Sequence, residues 1–330
     1  MNHLTKILRR FSKVKALVIG DVMLDTYVFG SVSRISPEAP VPIVNVESTE
    51  SRPGGAANVA MNIQSLGGKA VICSVIGNDA PGEKLLKLLS RHRFVPEHRI
   101  VKSSGRITTE KTRIFSRNHQ MLRFDSETEI DLSPGDEKNM LQHIRQSIDS
   151  EKFDVVVLQD YNKGTLTKNV IHSAIAHCRK KKIPVAVDPK KKNFFEYHDV
   201  SLFKPNLREV AEALGTEVDK RNKKSLELAA RALHSKLHHQ ITLITLSETG
   251  AFITDHKTSE IIPALVRNVA DVSGAGDTVL STASLCLALE VDFKTMGRLA
   301  NIAGSLACEE VGVVPINKEH FIAEVMKQMF

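Results

Sequence analysis

Eight residues, Asp271–Thr278 (DVSGAGDT), set a single acid among three small residues directly ahead of a long small-and-apolar run. Gly274, Ala275 and Gly276 put no bulk over the backbone N–H groups of what the pattern predicts to be the first turn of a helix. Unpaired donors and the positive end of the helix dipole favour an anion there. Asp277 stands in the same turn. A carboxylate repels a bound phosphate, so the arrangement suits binding alone poorly. It suits phosphoryl transfer, with the carboxylate taking a proton from a hydroxyl while the N–H groups steady the charge on the group in flight. Taken alone, GAGD also reads as an ordinary glycine-rich turn capping a helix. No G-x-x-x-x-G-K-[ST] occurs, which excludes a Walker-type loop, and Val279 occupies the third-glycine position of the dinucleotide fingerprint.

Other residues have types and spacings that fit the same chemistry. Asp21 and Asp25 in GDVMLD follow an apolar run, where carboxylates can accept hydrogen bonds from sugar hydroxyls or simply cap a turn. In PGGAANVA, Gly54 and Gly55 allow close backbone approach, and Asn58 offers a donor and an acceptor to a polyol; in isolation the segment is a helix start. Asn206 and Glu209 in FKPNLREV share one helix face, fit to hold the water shell of Mg²⁺ or to favour the helix dipole. Lys190 follows a strand ending VDP and can reach a phosphate. TLSETGA, with Ser247, Glu248 and Gly250, reads as strand, tight turn and strand, and it and VGVVPI (311–316) can wall a nucleotide pocket or serve as plain core. Lys111, Arg113, Arg117, Asn118 and Arg123 are dense for one hairpin. If that strand is regular, Lys111, Arg113 and Arg117 converge on one face, ready for a substrate phosphate.

The elements that position these residues alternate between strand and helix, which predicts an α/β fold with a mostly parallel sheet. Strands are expected at Lys15–Asp21, Lys69–Gly77, Asp154–Asp160, Ile183–Pro189 and Ile241–Ser247, and helices near 134–150, 167–181, 206–235, 275–290, 294–309 and 318–329. The polar start, MNHLTKILRRFSK, reads as a short amphipathic helix on the domain. Two segments break the rhythm. Thr26–Pro53 carries four prolines in strand-like composition, and Arg106–Glu127 alternates polar and apolar. Together they predict a small β-lid, from about 26–53 and 106–127, over the carboxyl ends of the main strands.

At 330 residues with 42% hydrophobic and 25% charged content, the composition is that of a soluble globular protein, without an apolar run of membrane-spanning length. The four cysteines (Cys73, Cys178, Cys286 and Cys308) form no C-x-x-C pair and read as buried thiols in a reducing cytoplasm. The net charge of +7 raises nucleic-acid binding, but tryptophan is absent and only three tyrosines offer stacking platforms. Neither a nucleic acid nor a membrane is expected as partner.

GGAANVA, the N-x-x-E of Asn206–Glu209 and the late DVSGAGDT, in this order and spacing, resemble the ribokinase-like (PfkB-type) carbohydrate kinases over essentially the whole chain. The resemblance implies a three-layer fold with a small β-lid that often mediates homodimers, and ATP with Mg²⁺ as phosphoryl donor. It implies Asp277 as catalytic base, Gly274, Ala275 and Gly276 as anion hole, and Asp25 with Gly54, Gly55 and Asn58 at the sugar. It further implies Asn206 and Glu209 at metal and phosphate, and Asp271 as a K⁺ ligand in potassium-activated relatives. Met23 replaces the asparagine found in ribokinases two residues before the sugar aspartate, which argues against ribose. Within the family, GDVMLDTYVFGSVSRISPEAPVPIV, RPGGAANVAMNIQSLG and SRNHQMLRFD resemble the kinases of bacterial ADP-heptose synthesis. Those phosphorylate O1 of D-glycero-β-D-manno-heptose 7-phosphate on the way to the lipopolysaccharide inner core. With the chain ending at Phe330, one kinase domain over 1–330 is expected, with nucleotidyl transfer left to a separate protein. Another sugar or sugar-phosphate acceptor, and a non-catalytic sugar or nucleotide sensor, are the alternatives.

Overall fold

The structure is a computed structural model that describes residues 3–92, 99–117, 119–265 and 269–329. Short runs rich in β-branched residues form its large sheet. Among the described residues these strands are β1 (Lys15–Gly20), β4 (Lys69–Gly77), β5 (Ile100–Ser103), β8 (Val155–Gln159), β9 (Val185–Asp188), β10 (Leu202–Phe203), β11 (Ile241–Thr245), β12 (Gly250–Thr254) and β13 (Ser259–Pro263). Their spatial order is β13-β12-β11-β10-β9-β8-β1-β4-β5. All neighbours from β11 to β5 are parallel, and only the β11-β12-β13 edge is antiparallel.

Side chains alternate across the parallel strands, so one sheet feeds two cores. Ala16 and Val18 of β1, with Val155 and Val157 of β8, join one core. Leu17, Ile19, Val156 and Leu158 join the other. The first core is covered by α1 (His3–Arg10), α2 (Ala56–Ser65), α3 (Ala80–Arg91), α8 (Ala275–Ala288), α9 (Phe293–Ala307) and α10 (Lys318–Gln328). The second lies under α4 (Pro134–Ser150), α5 (Lys168–Lys181), α6 (Leu207–Leu214) and α7 (Lys223–Leu237). The expected N-terminal amphipathic helix is α1, which buries Leu4, Ile7 and Leu8.

The single helical stretch expected over 206–235 is two helices. Gly215, with φ of +64°, ends α6 in the left-handed region, and the Asn222 side chain starts α7 by accepting the N–H groups of Lys224 and Ser225. Helix α8 is buried along most of its length. Its hydroxyls stay satisfied because Ser281, Thr282 and Ser284 each donate to the carbonyl four residues back, at 2.7–3.0 Å.

A second, four-stranded sheet holds the segments that break the α/β rhythm. It comprises β2 (Val22–Ile35), β3 (Pro42–Gly55), β6 (Glu110–Ser116) and β7 (His119–Ser126), in the order β3-β2-β6-β7. Pro37 and Pro40 fall between β2 and β3, outside the ladder, as their missing donors require. All four cysteines are free; Cys308 is half-buried where a buried thiol was expected. Among the described residues no helix is long and apolar enough to cross a membrane.

Candidate active site

Gly274 takes φ of +79° ahead of α8, and a side chain there would press on the amide of Asn58, 2.7 Å from its Cβ position. The turn uses some of its own donors: the Ala275 N–H reaches Val272 O at 3.3 Å and the Thr278 N–H reaches Gly274 O at 3.0 Å. The N–H groups of Gly276 and Asp277 are the remaining donors of a helix's first turn. A Cβ on Gly276 would lie 3.7 Å from Lys204 Nζ, so that lysine stands beside the anion cradle.

Asp277 is buried, and three side chains hold its carboxylate. Asn58 Nδ2 donates to Oδ2 at 2.7 Å, while the Tyr161 hydroxyl and Gln159 Nε2 donate to Oδ1 at 2.8 and 3.2 Å. Asn58 sits in α2, with Asn62 donating to its Oδ1 at 3.1 Å one turn on. Burial pushes the Asp277 carboxyl up to about 6 against the hydrogen bond from Asn58, and the negative charge of nearby Asp188 adds to the rise. A base poised just below neutral pH is ionised when needed yet retains proton affinity.

Gln159, Asp188 and Lys204 stand at or just beyond the carboxyl ends of β8, β9 and β10. Lys204 Nζ lies 2.9 Å from Asp188 Oδ2, both side chains buried. Burial opposes the Asp188 charge, yet Lys204 and Lys190 hold its carboxyl below the usual range. Asp188 Oδ1 is buried without a hydrogen bond and lies 3.7 Å from Lys190 Nζ. Lys190 pairs with Glu209 and lies 5.8 Å from the centroid of the Tyr161 ring.

Asn206 and Glu209 form a reciprocal capping box: Asn206 Oδ1 accepts the Glu209 N–H and Glu209 Oε2 accepts the Asn206 N–H, both at 2.8 Å. With Oε1 paired to Lys190, both Glu209 oxygens are engaged. Asp188 Oδ1, a hard oxygen that accepts no hydrogen bond and meets Lys190 only at 3.7 Å, is the feature of this cluster that fits a hydrated Mg²⁺. Asp271 is spent on its loop: Oδ1 accepts the Ser273 N–H and hydroxyl, and Oδ2 accepts the Gly312 N–H, each at 2.9 Å.

The four-stranded sheet, the proposed lid, borders the other side. Asp25 on β2 is buried and meets Arg113 Nη1 on β6 at 2.6 Å. Gly54 lies so close that a Cβ would sit 1.9 Å from Asp25 Oδ2. Gly55, with φ of +63°, turns the chain from β3 into α2. Burial raises the Asp25 carboxyl although Arg113 opposes the shift. Arg113 and Arg52 lie 5.4 and 5.0 Å from the centroid of the Tyr27 ring. The Tyr27 hydroxyl accepts the Val313 N–H at 3.0 Å, which ties the lid to the VGVVPI loop.

Several sequence expectations change here. Asp21 does not face a sugar: its carboxylate accepts the N–H groups of Tyr161, Lys163 and Thr165 at 2.8–3.1 Å and shapes the loop that delivers Tyr161. Lys111, Arg113 and Arg117 do not converge. Lys111 and Arg113 share a face, but an irregularity between Ile114 and Phe115 ends the alternation, and Arg117 lies exposed in the hairpin turn at φ of +54°. Lys111 is held by Asp125 and Glu127 at 2.9 and 2.6 Å, and Arg123 by Asp125. Asn118 lies outside the described residues. The strand-turn-strand of TLSETGA is observed, with Ser247 at φ of +55° and Gly250 at +108°, while the exposed Glu248 side chain pairs with Lys220. The residues that sequence reasoning missed are Gln159, Tyr161, Asp188, Lys204, Tyr27 and Arg52. Four of them stand at or just past parallel strand ends, which is the signal that could have marked them.

A family model described as pfkB family carbohydrate kinase matches residues 13–319. The chain belongs to that family. As a member, this kinase is a phosphotransferase acting on a sugar. The bifunctional protein HldE of Methylobacillus flagellatus is 41% identical over 312 residues, which cover 94% of this chain and 63% of the relative. The HldE of Gluconacetobacter diazotrophicus is 38% identical over 319 residues, covering 96% and 65%. This kinase thus spans less than two thirds of the length of those relatives. Its fold matches the Escherichia coli phosphofructokinase-2 structure in complex with potassium at TM-score 0.80 and 20% identity, over 96% of this chain and 99% of that one. It also matches Arabidopsis thaliana ribokinase complexed with ribose and ATP at TM-score 0.71 and 17% identity, over 94% and 98%. The fold is therefore ribokinase-like.

Proposed function

We propose that this kinase transfers the γ-phosphoryl group of ATP to O1 of D-glycero-β-D-manno-heptose 7-phosphate, giving the 1,7-bisphosphate in ADP-heptose synthesis. The observation that carries the chemistry is the buried Asp277 carboxylate, held by Asn58, Tyr161 and Gln159 in the first turn of α8. What supports the acceptor is the resemblance of Gly20–Val44 and Arg52–Gly67 to ADP-heptose kinases and the similarity to the HldE proteins.

In this reading Asp25 accepts hydrogen bonds from sugar hydroxyls, with Gly54 and Gly55 admitting the ring to close range. Asp277 takes the O1 proton as the new O–P bond forms and the bond from the γ-phosphorus to its bridging oxygen breaks, with the leaving electron pair passing to ADP. An anomeric hydroxyl is more acidic than a simple alcohol, so a carboxylate suffices as base. The N–H groups of Gly276 and Asp277, with Lys204, stabilise charge on the transferring group. Mg²⁺, when bound, neutralises charge between the phosphates. Asn206, Glu209 and Asp188 are the residues to orient its water shell, and Lys190 reaches a phosphate once it exchanges Glu209 for that anion. Ser247, Glu248 and Gly250 belong to a loop at the nucleotide end. Arg113 reads the 7-phosphate, with Lys111 and Arg123 beside it. No step is assigned to K⁺ at Asp271.

The lid is also the proposed homodimer surface. Every residue of β7 is exposed, and its Leu122 and Phe124 stand 56% and 53% exposed at one edge of the sheet. Phe124→Glu is expected to shift a sedimenting dimer to monomer.

The test of the reaction is ATP consumption with heptose 7-phosphate, followed by ³¹P NMR location of the new phosphate. A 1,7-bisphosphate supports the reading. Faster turnover with fructose 6-phosphate or ribose, or none with any sugar, overturns it.

A further inference from the structure

Three histidines gather at the opposite end of the large sheet from Asp277, where no part of the phosphoryl-transfer reading uses them. His234 lies in the last turn of α7, His239 just ahead of β11, and His256 in the turn between β12 and β13. One imidazole nitrogen from each lies within 4.8 Å of those of the other two. Ring contacts hold the group together: His234 stacks on His256 with centroids 4.0 Å apart, and His239 meets His256 edge-on at 5.0 Å.

The hydrogen bonds leave lone pairs unspent. His234 Nδ1 meets the His239 carbonyl at 2.8 Å, so that nitrogen donates and Nε2 keeps its lone pair. His239 Nε2 meets Thr242 Oγ1 at 2.6 Å, while its Nδ1 is buried with no partner. The His256 ring, its nitrogens buried, faces the backbone of His239. Buried polar atoms almost always find a partner, so the unpaired His239 Nδ1, beside the buried His256 ring and the unspent lone pair of His234 Nε2, marks a ligand site. The backbone is also set for it. His256 sits at φ of +68°, a left-handed conformation that non-glycine residues seldom take. Thr254 fixes that turn, accepting the His256 N–H at 2.9 Å and donating to Thr258 O at 2.7 Å.

We infer that His234, His239 and His256 bind one divalent first-row transition ion, zinc being the best chemical match, with water as the fourth ligand. Three neutral imidazoles are a ligand set for zinc, whereas magnesium and calcium want oxygen. Zinc–nitrogen bonds of about 2.0–2.1 Å put ligand nitrogens about 3.3 Å apart, so the rings close in from their 4.8 Å limit when the ion enters. Thr242 and the His239 carbonyl are the outer partners that orient two of the rings. The ion clips the α7–β11 junction to the β12–β13 hairpin, a structural role remote from sugar and ATP.

The test titrates Zn²⁺ alone into chelator-stripped full-length protein, read by calorimetry and by the thermal midpoint. One equivalent should bind and raise Tm. His256→Asn, which tolerates the left-handed turn, and His234→Gln should each weaken binding by about 100-fold or more and abolish the Tm rise. Turnover with Mg²⁺ and ATP, unchanged in both variants, shows that they fold. Co²⁺ in place of Zn²⁺ should give the intense visible bands of a tetrahedral site. Absence of saturable one-equivalent binding, or equal binding in wild type and both folded variants, overturns the proposal.

Discussion

The two walls of the active site are built differently. The α8 wall is core: Asp277, Asn58 and Gln159 are buried, and their bonds join α8, α2 and β8. The lid wall is a four-stranded sheet whose outermost strand is exposed throughout, and its charged groups are paired to one another, Asp25 with Arg113 and Lys111 with Asp125 and Glu127. In the proposed reaction the first wall supplies a base and an anion cradle set before substrate arrives, which electrostatic catalysis needs. The second holds exchangeable ion pairs that a sugar phosphate can replace, which binding and closure need. The difference assigns kcat to one wall and KM to the other.

The sharpest break of that division is Asp277→Asn. It should lower kcat by about 1,000-fold while nucleotide affinity stays within a few fold. Gly54→Ala strikes the hinge between the walls: its methyl would displace the Asp25 carboxylate, and kcat/KM for sugar should fall about 100-fold. Arg113→Ala removes a charged hydrogen-bond donor, so KM for the phosphosugar should rise about 10- to 100-fold with little change in KM for ATP. Equal effects on both ligands would dissolve the comparison. Tyr161→Phe deletes a hydrogen bond that lowers the Asp277 pKa, so the acid limb of kcat should move to higher pH. The smallest effect is on stability. Folding raises the Asp277 pKa from 3.8 to about 6, so its contribution is complete below about pH 4 and lost as pH rises through 6. Between pH 4 and 7 the Tm of wild type should therefore fall relative to that of Asp277→Asn.

Much of the α8 wall was legible because local chemistry decides it: small residues, an acid and an apolar run suffice to place Asp277 in the first turn of a helix. Gln159, Asp188 and Lys204 were not, because their convergence depends on the order β10-β9-β8-β1, which chain order does not supply. Asp21 and Asp25 look alike four residues apart. Only the loop after β8, whose N–H groups claim Asp21, separates them. On the lid, strand alternation placed Lys111 and Arg113 together correctly, and a break in register removed Arg117. A single sequence gives no sign of that irregularity. The Asn206–Glu209 pair fits the helix-start reading given at the outset, and the capping box that starts α6 also presents Glu209 to Lys190.

The account turns on a buried carboxylate that must be ionised to act. Its most direct test is the pH dependence of kcat/KM for the sugar, set beside a ¹³C NMR titration of the Asp277 carboxyl in the same protein. An acid limb near pH 6, matching a carboxyl titration near 6, is the expected result. A profile flat from about pH 5 to 8, or a carboxyl already fully ionised at pH 5, would contradict it.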